Sequence, residues 1–242
     1  MLNGVVDSLR SVWPVRCLLC QAWAGQGLCS ACLLEHAPRP ERPRCPGCGL
    51  RLALGVPRCA GCEREPPPHG LVQVAVDYGH PWDRVMMQFK FGGQVQWAQA
   101  LALLMARSMA ETAGLQPWRI VPVPLSCERL SRRGYNQAWD LARRLARRLG
   151  LQARADVLAR AVDLPGQAEQ DRSARLHRLR GVFQVPANAR PWLAGQRVAL
   201  VDDVLTTGAT AAEAARTLLA AGAAEVQVWA FARTPPPADG PS

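Results

Sequence analysis

The sequence predicts an α/β fold, a mainly parallel sheet flanked by helices, with a small cysteine-built domain ahead of it. Three observations lead there. From residue 71 onward, strand-like runs alternate with helical ones, the pattern that generates parallel sheets. Val198 to Val201 is a short, continuously apolar run, as a strand buried on both faces of such a sheet must be. Finally, eight of the nine cysteines fall between Cys17 and Cys62, and only Cys127 lies outside.

The cysteines form four C-x-x-C pairs, Cys17 and Cys20, Cys29 and Cys32, Cys45 and Cys48, and Cys59 and Cys62, separated by eight, twelve and ten residues. A two-residue gap lets both sulfurs of a turn face one tetrahedral ion, and two such turns complete its shell. Eight ligands therefore make two closed structural zinc sites. Sequential pairing gives two small ribbons, and pairing first with third and second with fourth satisfies the spacing equally. A stretch this rich in proline and arginine has little apolar material to bury, so metal binding would supply much of its folding free energy. Residues 1–65 are assigned to this double zinc-ribbon domain. His36, between two pairs, reads as a surface residue. Residues 66–70, beginning with Pro66, Pro67 and Pro68, read as a stiff linker, and residues 71–233 as the larger domain.

In that domain Leu71 to Asp77 alternates as a strand, and Tyr78 to Pro81 turns the chain. Trp82 to Phe91 reads as a helix with Val85, Met86 and Phe89 on one face, stopped at Gly92 and Gly93. Lys90, just before that stop, reads first as a cation at a helix C-terminus and second as a phosphate contact. A helix over residues 97–111 is apolar over much of its surface, as expected of one packed on the sheet. Residues 120–125, Ile-Val-Pro-Val-Pro-Leu, form a strand running into a rigid loop at Pro124 and Leu125. Arg129, Arg132 and Arg133 follow, then Gly134, Tyr135, Asn136 and Gln137. A rigid loop followed by guanidinium groups suits a pyrophosphate, whose oxygens accept paired charged hydrogen bonds. Residues 136–149 make an amphipathic helix with Arg143, Arg144, Arg147 and Arg148 on its polar side, either a solvated face or a contact for single-stranded DNA. Residues 163–180 read as a flexible lid. Residues 225–233 are the last strand and 234–242 a disordered tail.

The most informative stretch follows Val201. Asp202 and Asp203 end the apolar run; Thr206, Thr207, Gly208, Ala209 and Thr210 form a small hydroxyl loop; a helix begins near Ala211 and stops at Gly222. Glycine permits close approach to a ligand, threonines add donors, and the first amides of a helix lack internal partners, so the loop can hold a phosphate. The aspartates, acceptors only, suit sugar hydroxyls and waters on a magnesium ion.

This segment resembles the ribose-phosphate motif of the type I phosphoribosyltransferases. The resemblance implies that Asp202 and Asp203 contact the ribose hydroxyls and that Thr206 to Thr210 hold the phosphate of phosphoribosyl pyrophosphate. Thr206 departs from the purine-salvage members, which often carry a third acid there for hypoxanthine or guanine. More specifically, IVPVPL, RRGYNQA and VALVDDVLTTGAT resemble the successive motifs of the ComF family, phosphoribosyltransferase-like bacterial proteins associated with natural competence and DNA uptake, many with an N-terminal zinc ribbon. That resemblance covers nearly the whole chain. It implies a type I phosphoribosyltransferase-like fold and an enzyme of the glycosyltransferase class that uses magnesium with phosphoribosyl pyrophosphate. Asp202, Asp203 and Arg133 are its candidate catalytic residues. Its candidate substrate contacts are Thr206, Thr207, Gly208, Ala209, Thr210, Pro124, Leu125, Asn136 and Gln137. Gln167, Arg175 and Phe183 fit the family's mobile-loop pattern, and Arg178 replaces its common asparagine.

The formal net charge of +10 falls to about +6 once two tetrathiolate zinc sites are counted. That excess favours an anionic partner, whether a phosphorylated sugar or DNA; the family resemblance implies single-stranded DNA or competence-machinery proteins as further partners. The first 20 residues carry no secretory signal, and no run approaches the roughly 18 apolar residues of a membrane span. A cytoplasmic location is therefore expected, where paired cysteines more often bind metal than form disulfides. Two other readings keep the sequence but not turnover: a phosphoribosyl pyrophosphate sensor or adaptor in transformation, and a zinc-ribbon nucleic-acid binder using the α/β part as scaffold.

Overall fold

Strands rich in valine, leucine and alanine bury both faces here because helices cover the sheet on each side. The computed structural model describes residues 15–25, 27–36, 43–92, 97–110, 118–160 and 181–236. Its central sheet contains β3 (Leu71–Asp77), β4 (Arg119–Pro122), β5 (Gln152–Ala153), β8 (Arg197–Leu205) and β9 (Glu225–Arg233), ordered β3-β9-β8-β4-β5. Every neighbouring pair is parallel. The alternation of side chains along β8 sends Ala199 and Val201 into one core and Val198 and Leu200 into the other.

The first core is closed by α3 (Trp82–Phe91), α4 (Ala98–Ala110) and α6 (Gln137–Leu149), through Met86 and Phe89, Leu101 and Met105, and Leu141 and Leu145. The second is closed by α8 (Ala209–Ala220), through Ala211, Ala214, Ala215 and Leu218, and by Leu193 of the short α7 (Arg190–Leu193). Outside the sheet, β6 (Ala159–Arg160) pairs antiparallel with β7 (Phe183–Gln184). Phe183 is buried in the second core. Gln167, Arg175, Arg178 and the expected lid at 163–180 lie outside the described residues, as does most of the expected tail.

Three boundaries differ from expectation. Strand β8 continues through both aspartates to Leu205, because β9 is equally long and keeps it paired, with Asp202 opposite Ala230 and Leu205 opposite Arg233. Helix α8 starts at Ala209 rather than Ala211, since Gly208 takes a left-handed φ of 81° and turns the chain in one residue. The arginines after the rigid loop, for which no element was expected, sit on a short helix, α5 (Cys127–Arg133). Ser126 caps it by accepting from the Arg129 amide at 3.3 Å, and Gly134 ends it with φ 77°.

The cysteine region adds β1 (Val15–Arg16), β2 (Trp23–Ala24), α1 (Ser30–His36) and α2 (Ala60–Arg64). Neither half stands apart from the sheet. Cys17, Leu18, Ala24, Leu28 and Cys32 of the first half join the core lined by α3, α4 and α6. The second half covers the outer edge of β3, whose Val72 amide donates to the Pro46 carbonyl at 2.7 Å. Residues 66–70, expected as a spacer, take part in that attachment: buried His69 pairs with the Gly47 carbonyl at 3.0 Å. Among the described residues no helix is long and apolar enough to cross a membrane.

Candidate functional site

Two candidate sites emerge, one of sulfur and one of oxygen. The sulfurs of Cys17, Cys20, Cys29 and Cys32 gather within 4.8 Å of one another, as do those of Cys45, Cys48, Cys59 and Cys62. Pairing is therefore sequential, the simpler of the two arrangements the spacing allowed. Cys20 and Cys29 sulfurs lie 3.6 Å apart, as do those of Cys48 and Cys59, close to the edge of about 3.8 Å of a tetrahedron with zinc–sulfur bonds of about 2.3 Å. Backbone amides point at the sulfurs, from Cys32 to Cys29 at 3.5 Å and from Cys59 to Cys45 at 3.4 Å, which stabilises thiolates. Both donor sets suit structural zinc, with four protein ligands and no open position.

The oxygen site lies where β8 and β4 end. Their register, Pro122 opposite Val201 with the Val123 amide donating to the Val201 carbonyl at 2.9 Å, brings Pro124 and Leu125 out at the same edge as the loop Thr206-Thr207-Gly208. Ligands of open α/β sheets bind at such carboxyl ends. A Cβ built on Gly208 would meet no atom within 4 Å, so the turn faces open space. Thr206 is exposed and Thr207 half-buried. The Thr207 hydroxyl accepts from the Ala209 amide at 3.3 Å. Ala209 and Thr210 thus belong to the first helical turn and contribute amides rather than loop.

Asp203 is only 8% exposed and lies 3.4 Å from the Lys90 ammonium. Asp202 accepts from the Asp203 amide at 2.8 Å. Burial, and then the charge of Asp203, push the Asp202 carboxyl up to about 7, against the pull of Lys90. Arg133 also feels Asp203: burial lowers its pKa, and the Asp203 charge is the main opposing influence. Burial raises the hydroxyls of Tyr78 and Tyr135, with Asp203 contributing to both. The Lys90 ammonium thus pairs with a buried carboxylate whose charge is also felt at Arg133, Tyr78 and Tyr135.

Side chains expected at the substrate have internal partners. Asn136 donates to the Val123 carbonyl at 3.1 Å and caps α6 by accepting from the Trp139 amide at 3.3 Å. Gln137, 1% exposed, accepts from Arg133 at 3.1 Å and donates to the Lys90 carbonyl at 3.4 Å. Tyr135 donates to the Phe89 carbonyl and packs edge-on against the Phe89 ring at 6.0 Å. Tyr135 and Gln137 thus grip the end of α3, the helix that carries Lys90. The Arg133 Nε is buried without a hydrogen-bond partner among the described residues, an unmet donor on a guanidinium that feels the Asp203 charge. Lys90, weighed chiefly as a helix-end cation, belongs to this site. Its signal in the sequence was a lysine just before a Gly-Gly stop, adjacent to Phe89 on the face that packs in the core.

On the polar side of α6, the expected arginine face is partly neutralised within the chain. Asp140 pairs with Arg143 and, at 3.4 Å, with Arg144, and Arg144 also donates to Gln99 at 3.1 Å.

Several known proteins are similar to this chain. The phosphoribosyl transferase domain family matches residues 133–239. The DNA utilization protein YhgH of Escherichia coli K12 is 36% identical over 228 residues, 91% of this chain and 98% of that protein. Competence protein F of Haemophilus influenzae is 34% identical over 234 residues, 93% of this chain and 100% of the other. Competence protein ComFC of Bacillus subtilis is 30% identical over 168 residues, 65% of this chain and 62% of that one. Among solved structures, the allosteric regulatory enzyme of purine biosynthesis aligns with a TM-score of 0.40 and 18% identity, over 60% of this chain and 29% of that one.

Proposed function

The chain belongs to the ComF family, and from that premise we propose that it binds phosphoribosyl pyrophosphate with magnesium at the end of β8, in the service of DNA uptake or utilisation. The observation that carries the proposal is the buried Asp203, 3.4 Å from the Lys90 ammonium, on a strand that runs into a hydroxyl loop opening a helix. In this reading, Thr206, Thr207 and Gly208 with the first amides of α8 hold the sugar phosphate. Asp202 and Asp203 take the ribose hydroxyls and waters of the metal, hard oxygen donors suited to magnesium. Arg133, with its unmet Nε donor, and the backbone at Pro124 and Leu125 receive the pyrophosphate. Gln137 acts by holding Arg133 and the end of α3 that carries Lys90, and Asn136 by tying the start of α6 to Val123.

The chemistry that follows is displacement at the anomeric carbon. The bond from that carbon to the pyrophosphate oxygen breaks, the acceptor's lone pair forms the new bond, and the acceptor's proton leaves. Residues of this chain would work by placement and charge stabilisation, without covalent catalysis.

Thermal stability with and without magnesium and phosphoribosyl pyrophosphate tests the binding. A stabilisation of a few degrees is expected in the wild type, absent in Asp203→Ala and reduced in Lys90→Met. An equal shift in Asp203→Ala would refute the site. Pyrophosphate release on adding candidate acceptors marks an enzyme, whereas binding without release marks a sensor.

A further inference from the structure

We infer that Arg233 is a positioning residue that couples the second cysteine cluster to the ribose-phosphate loop, so that zinc in the cluster and a phosphorylated ligand in the loop favour each other. The ligand half of this statement rests on the function proposed above. Arg233 is the last residue of β9 and is 6% exposed. Its Nε donates to the carbonyl of Cys48, itself a cluster cysteine, at 2.7 Å. A terminal nitrogen of the same guanidinium donates to the Leu205 carbonyl at 3.1 Å, to the Thr206 carbonyl, and to the Thr234 carbonyl at 2.6 Å. Leu205 ends β8 and Thr206 opens the phosphate loop.

A guanidinium is flat and covalently rigid, so the knuckle carbonyl and the loop carbonyls are held at separations they could not keep independently. A second arginine also holds the knuckle. Arg44 donates to the Gly49 carbonyl at 2.9 Å and to Asp77 at 2.6 Å. With zinc bound, the turn at Cys48 has one geometry and Arg233 has one place to rest. Without it, the carbonyl that receives Nε can move, and the support under Thr206 loosens. Among the described residues no comparable hydrogen bond joins the first cluster to this loop. By reciprocity, whatever factor the metal contributes to ligand affinity, the ligand contributes to metal retention.

The experiment follows alkylation of individual cysteines by peptide mass in the full zinc-loaded chain, challenged with chelator, with and without magnesium and phosphoribosyl pyrophosphate. The ligand should slow alkylation of Cys59 and Cys62 by roughly tenfold and leave Cys29 and Cys32 unchanged. Arg233→Lys, which keeps the charge but cannot bridge both carbonyls, should abolish that selectivity while retaining two zinc ions. Equal protection of both clusters, or undiminished selectivity in Arg233→Lys, would overturn the inference. A second measurement needs no ligand. Hydrogen exchange at residues 206–211 should quicken in Arg233→Lys, and also in wild type stripped of the second zinc. Unchanged exchange there refutes the coupling. Absence of any ligand-induced thermal shift in the wild type would instead refute the binding proposal.

Discussion

The two halves of the cysteine region use the same ligands at the same two-residue spacing yet are attached to the sheet by different physics. The first lies against the helical layer through apolar side chains, with Leu18, Ala24 and Leu28 in the core and Gly27 close to Ala100 of α4. The second is joined by directional bonds: the Val72 amide on Pro46, Asp77 between Arg44 and Arg51, and Arg233 on Cys48. Apolar packing tolerates sliding because it is non-directional. A hydrogen-bonded joint holds one register and transmits displacement. The second half also occupies the outer edge of β3, which would otherwise present unpaired amides for association with other strands.

Cysteine substitution breaks the comparison most severely. Cys62→Ser should lose one zinc and lower the melting temperature by roughly 10 °C, since metal binding is folding free energy for so small a unit. It should also reduce the ligand-induced shift. Cys32→Ser should lose one zinc but leave that shift intact, and equal loss in both variants would erase the distinction.

Glycine substitutions sharpen it at the level of packing. Gly49 has φ 72°, and a Cβ there would lie 2.6 Å from Val74 and 3.0 Å from Val72. Gly49→Ala therefore combines backbone strain with a clash against β3 and should cost about 3 kcal/mol by denaturant unfolding. Gly27→Ala, with φ 80° and one contact at 3.0 Å to Ala100, should cost about 2 kcal/mol. Gly55→Ala, with φ 83° and nothing within 4 Å, should cost only the left-handed strain of about 1 kcal/mol.

Asp77 gives the joint a pH dependence. Burial raises its pKa, but hydrogen bonds from Arg51 and Arg44 outweigh burial and hold the carboxyl below its usual range. A depressed folded pKa means stability present above the unfolded value near pH 4 and lost as pH falls through the folded one. Asp77→Asn should cost about 1 kcal/mol at neutral pH. If unfolding curves at pH 7 superimpose on wild type, the ion pairs contribute nothing.

The smallest effect lies outside both halves. The Asp202 pKa, raised to about 7, contributes stability that is complete below about pH 4 and lost as pH rises through about 7. Ligand binding that needs the carboxylate should therefore strengthen roughly threefold from about pH 6.5 to about pH 7.5. Titration calorimetry at the two pH values should find no such change in Asp202→Asn.

Much of the larger domain was legible because its signals are local. Leu71–Asp77 and Glu225–Arg233 begin and end where their residue patterns placed them. The end of β8 was misread because a strand's length depends on its neighbour: nothing in Asp202 to Leu205 announces that β9 extends beside it. Helix α5 was missed because arginine-rich sequence is consistent with loop or helix until Ser126 and Gly134 are recognised as its caps. In the site, Asp203 and the Thr-Gly loop were visible from residue type and order. Lys90 was underweighted because its partner lies 113 positions away in the chain, at Asp203.

The sequence alone determined the candidate donor groups, eight cysteines in four tight turns and two carboxylates before a hydroxyl loop, because those depend on spacing within a few residues. Only the tertiary structure decided which cysteine pairs share an ion, which cation meets Asp203, and that Arg233 reaches Cys48 across 185 positions. Such pairings are selected by the way sheet and helices bring distant backbone together, and periodicity along the chain carries no record of them.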